Sequence, residues 1–134
     1  MKVADRLLVL TWHAIDVLPS VISMPPAAFR GQMEALAQRG LRGVSLAQAL
    51  EQREREGRFP HDAVVLTFDD GYLSVMTEGL PVLAAHGFTA TIFLASGLVG
   101  LTAAEARRRN PDLDRDLLDW RQAADLLQAG WEIG

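Results

Sequence analysis

Apolar and polar positions alternate along this chain in blocks whose lengths and periods predict separate elements. Leu7-Leu-Val-Leu-Thr-Trp12 is too short an apolar run for a helix and reads as a buried strand. Ser23-Met-Pro-Pro26 breaks the pattern, with Ser23 as a cap. A helix from about Pro26 to Arg39 follows, with Phe29, Met33, Leu36 and Ala37 on one face and Gly40 as its stop. Gly43-Val-Ser45 reads as a short strand. Leu46 to about Arg55 reads as a helix capped by Ser45, running into the charged stretch Glu51–Arg58. Ala63-Val-Val-Leu-Thr-Phe68 is the clearest strand, closed by Asp69-Asp70-Gly71. A helix over Val75–His86 should end at Gly87, a glycine placed as helix C-termini favour. Thr89–Ala95 reads as another strand, and 96–119 as irregular. Trp120–Ala129 should be a last helix, and Trp131–Gly134 the opening of one more strand.

Strands alternating with helices predict an α/β fold with parallel strands and helices packed outside them. No repeat, low-complexity tract or linker divides residues 1–134, so one domain is expected. In such folds working side chains collect at the C-terminal ends of the strands. His13, the pair Asp69-Asp70 and Ser96 occupy such ends, whereas His61 precedes its strand and belongs to the opposite end.

Composition narrows the chemistry. With 134 residues, 49% of them hydrophobic, the chain can bury a core without disulfides, and it has no cysteine. Cysteine nucleophiles and thiolate metal sites are therefore excluded, leaving Asp, Glu and His as strong ligands. A net charge of −4 and scattered basic residues argue against a nucleic-acid partner. The apolar run at 7–10 is too short for a signal peptide and Asp5 flanks it, so a cytoplasmic location and no membrane span are expected.

Adjacent carboxylates at the mouth of a buried strand repel each other unless a cation or partner relieves them. A metal ion would do so, with one carboxylate as ligand and the other free to take a proton from water. On spacing alone a solvated turn is equally open. Ser96 has no His–Asp partnership, which excludes a serine hydrolase. A phosphotransferase would need Asp-x-Asp, and Asp69-Asp70 has the wrong spacing. Trp12, Trp120 and Trp131 read as core, and His86 as a helix-end residue favoured by the dipole.

AVVLTFDDGY at 63–72 resembles the first motif of the polysaccharide deacetylases, a carbohydrate esterase family. LTWH at 10–13 is similar to that family's first strand, and the segments at 24–46, 80–100 and 119–134 are similar to its later ones. The resemblance implies the N-terminal part of a distorted parallel (β/α) barrel that removes N-acetyl groups from a carbohydrate. It implies Asp69 as general base and Asp70 as ligand of a divalent metal, zinc in most members. His13 and Tyr72 are candidate substrate contacts. Two histidines four residues apart would follow a segment like WEIG, so ending at Gly134 implies a truncated domain with an incomplete metal site and an inactive isolated chain. The alternative is a non-catalytic carbohydrate-binding or interaction protein of the same fold. A half barrel would also leave apolar surface uncovered, so self-association is expected.

Overall fold

The computed structural model describes residues 5–134. Its centre is β3 (Ala63–Asp70), the longest strand, fully buried from Ala63 to Phe68. Four further parallel strands make a five-stranded sheet: β1 (Val9–Trp12), β2 (Arg42–Val44), β4 (Thr91–Leu94) and β5 (Glu132–Ile133). β1 lies along one edge of β3 with Trp12 opposite Phe68. On the other edge β2 pairs the first residues of β3 and β4 the last, Thr67 to Asp70. β5 extends the sheet beyond β4. The α/β class and parallel sheet read from the sequence are therefore present.

Side chains alternate across a strand, so this register sorts the sheet into two faces. Leu10, Trp12, Val64, Leu66, Phe68 and Ile92 share one. The helices α1 (Pro26–Gln38), α3 (Leu80–His86) and α5 (Trp120–Gln128) close over it with Phe29, Met33, Leu83 and Leu126. Trp12 meets Phe29 edge-on at 5.4 Å, and Trp131 stacks on Phe68 at 5.4 Å. The Trp12 indole N–H donates to the Gln32 side-chain oxygen, satisfying the ring's polar edge.

The second face carries Thr11, Thr67, Asp69, Thr91, Phe93 and Glu132. Thr11 and Thr67 share a hydrogen bond of 2.7 Å, and Thr91 donates to Glu132 at 2.6 Å. Helix α2 (Leu46–Glu56) covers only its lower part, with Leu46 and Ala49 against Ala63 and Val65. The free amides at the start of α2 are taken up from the sheet: Leu46 N–H donates to Thr91 and Ala47 N–H to Glu132. The upper part, at the strand C-termini, stays open.

Four expectations need correction. The strand through 63–68 continues to Asp70, because the carboxylates remain paired with Phe93 and Leu94 of β4. Ser23 does not cap α1; Pro25 is the N-cap, and the Ser23 hydroxyl is bonded to Asp16 instead. The helix expected over 75–86 begins with a π turn, Val75–Gly79. The stretch 96–119 is not wholly irregular, since α4 (Ala103–Arg109) lies within it. Thr102 and Glu105 form a capping box at its start.

Candidate active site

The two carboxylates come from consecutive positions of one strand, and regular alternation would send them to opposite faces. The backbone departs from regular strand at the second of them. Asp70 has φ +79°, the only positive value at a non-glycine among the described residues, and Gly71 follows at +88°. Positive φ at a non-glycine residue costs about 1–3 kcal/mol, and such strain gathers at working sites. Gly71 cannot be replaced without strain, because its φ of +88° is a conformation that residues with a side chain rarely adopt.

His13, one residue beyond β1, is brought to Asp69: its Nε2 lies 3.6 Å from Asp69 Oδ2. Both side chains are partly open to solvent, at 36% and 41%. Phe93 is the register partner of Asp69 and is also exposed. Tyr72 is 2% exposed, and burial first, then the nearby Asp70 carboxylate, push its phenol above the ordinary range. His61 is exposed just before β3, at the opposite end of the sheet from the carboxylates. His86 ends α3 and stacks on Phe88, and Ser96 is exposed beyond β4.

Sequence reasoning missed Arg115. Its guanidinium, only 7% exposed, donates to Asp16 at 2.7 Å, to Asp114 at 2.6 Å and to Ser23 at 2.7 Å. It also lies 5.8 Å from the Tyr72 ring centroid. This ties the loop after His13 to the segment that covers Tyr72, where Leu73 N–H donates to the Asp116 carbonyl. Burial opposes ionisation of Asp16, but hydrogen bonds from Arg115, Ser23 and Leu18 outweigh it and lower its pKa. The signal available was an arginine set among Asp112, Asp114 and Asp116. Trp120 was misread as core. Trp12 and Trp131 are buried, but Trp120 is 60% exposed.

A catalytic zinc normally takes three protein ligands. Among the described residues no three His, Asp or Glu side chains converge as one set. Asp70 can serve as a single hard donor, but the residues described do not fit a complete zinc site. No helix among them is long and apolar enough to cross a membrane.

Known proteins share this fold. The family model described as polysaccharide deacetylase matches residues 56–134, which include β3 and both carboxylates. The poly-β-1,6-N-acetyl-D-glucosamine N-deacetylase of Escherichia coli K12 is 30% identical over 125 residues, covering 90% of this chain and 19% of that protein. The structure of IcaB from Ammonifex degensii superposes with a TM-score of 0.79 at 27% identity, over 98% of this chain and 52% of that one. A de-N-acetylase from Aggregatibacter actinomycetemcomitans shares the fold at a TM-score of 0.75 and 24% identity, over 97% and 54%. The chain thus spans about half the length of these solved relatives and a fifth of the curated one. With the family model covering more than half of its residues, the Asp-Asp-Gly strand end included, the chain belongs to the polysaccharide deacetylase family.

Proposed function

We propose that this chain carries the general base and one metal-ligating carboxylate of a hydrolase that removes N-acetyl groups from a carbohydrate polymer. The observation that carries the reading is the left-handed Asp70 beside an Asp69 that faces His13 across 3.6 Å. Left-handed backbone is tolerated by aspartate in turns, and it is the pairing of this conformation with the Asp69–His13 contact that supports a working site.

Asp69 is accessible enough to meet water and substrate, and it accepts the proton as water attacks the acetamide carbonyl carbon. The new C–O bond forms, the C–N bond then breaks, and acetate and a free amine leave, the amine having taken up a proton. His13 orients the Asp69 carboxylate and contacts the sugar, and the exposed Phe93 supplies an apolar wall beside the pair, while Tyr72 is buried against Ala14, Ala106 and Leu117 and does not meet the sugar. Asp70 would be one ligand of a divalent ion, zinc by family resemblance. The E. coli relative is named for poly-β-1,6-N-acetyl-D-glucosamine, and an N-acetylhexosamine polymer is the substrate class proposed here.

The test is acetate release from N-acetylglucosamine polymers by the full-length gene product. Acetate and free amine should appear in equal amounts. Saturable carbohydrate binding with no acetate at any metal concentration would instead establish a non-catalytic binding protein.

A further inference from the structure

Trp120 is the one tryptophan of the three that the fold leaves in solvent, at the start of a helix that buries Ala123 and Leu126. Trp12 and Trp131 are 7% and 3% exposed, against 60% for Trp120. Leaving so large a ring in water forgoes about 1.5–3 kcal/mol of burial, so its position needs a reason. The backbone ties the segment just before it to the strand end that carries the carboxylates. Leu118 N–H donates to the Gly71 carbonyl at 3.0 Å, and Leu117 pairs with Tyr72 in an antiparallel bridge. Trp120 is two residues further on, a span of at most about 7 Å. Asp119 between them is fixed by a capping box with Gln122, so the ring is presented from an ordered helix start rather than a free loop.

We propose that Trp120 is a stacking platform for a neighbouring sugar of the polymer whose acetamide lies at Asp69 and Asp70. A pyranose ring offers an apolar C–H face and a polar hydroxyl rim, which suits an exposed indole at the border of an acidic site. The single occupant is thus the continuation of the substrate chain. The idea rests on the deacetylase reading for the identity of that chain, but the platform can be tested by binding alone.

The probe is a pentamer of β-1,6-linked N-acetylglucosamine, with the monomer as control. Of the three tryptophans in this chain only Trp120 is open to solvent, so the acrylamide-quenchable fluorescence that Trp120→Leu removes reports the platform directly. In the full-length gene product the pentamer should protect the fluorescence from quenching and the monomer should not. Trp120→Leu should bind the pentamer about five- to tenfold more weakly, as one aromatic contact is worth. The same variant should keep the wild-type melting curve, since the side chain is exposed. Equal pentamer affinity in wild type and Trp120→Leu would overturn the platform while leaving the acetate assay to judge the deacetylase reading. Pentamer binding that leaves the quenching of Trp120 unchanged would overturn it as well.

Discussion

At the residue scale the account turns on Asp70, whose backbone conformation favours glycine and whose side chain has a proposed role. Asp70→Gly should therefore leave the protein as stable as wild type, or up to about 1 kcal/mol more stable, while abolishing turnover. Thermal melts beside the acetate assay check this; a clear loss of stability would show that Asp70 is held for packing instead. Asp16 makes a second case. Its folded pKa is lowered, so its contribution is complete above the ordinary aspartate value of about 3.9 and is lost as pH falls through the lower folded value. Asp16→Asn should cost about 1–3 kcal/mol at neutral pH, with the difference from wild type shrinking below about pH 4 in urea titrations. The Asp pair and His13 were legible because strand ends can be read from apolar runs. Arg115 was not, because its partners Asp16 and Ser23 lie over ninety positions away and only the folded chain brings them together.

At the scale of elements, local signals were read well where one chemical group decides the boundary. Ser45 caps α2 with Gln48 completing the box, as the expected cap required. Ser45→Ala should cost about 1 kcal/mol in denaturant melts, and an unchanged midpoint would contradict the cap's contribution. The helix α4 announced itself through Thr102 and Glu105, three apart, but the surrounding charges masked it. The extension of β3 through Asp70 could not be read at all. Two carboxylates look like the end of a strand until β4 is seen pairing with them. Close packing between elements was equally hidden. Gly43 on β2 lies where an added Cβ would collide with Leu66 and fall 2.9 Å from the Phe88 ring. Gly43→Ala should consequently destabilise the sheet by about 1–3 kcal/mol.

At the scale of the molecule, the faces of the sheet differ in how completely they are covered. The helix-packed face is closed, while the outer strand β1 exposes Val9, with Leu8 exposed just before it. Such an edge invites pairing, so the 134-residue chain alone should self-associate in light scattering and bind a hydrophobic dye. With Asp70 as the one proposed ligand, it should also bind zinc only weakly by titration calorimetry. The central claim is that the adjacent carboxylates have separate tasks, and paired variants of the full-length gene product test it most directly. Bound metal and acetate turnover are measured together for Asp69→Asn and Asp70→Asn. Asp69→Asn should keep its metal and lose about 10²–10⁴-fold in turnover, whereas Asp70→Asn should lose both. Equal loss of metal in the two variants, or wild-type turnover in Asp69→Asn, would contradict the account.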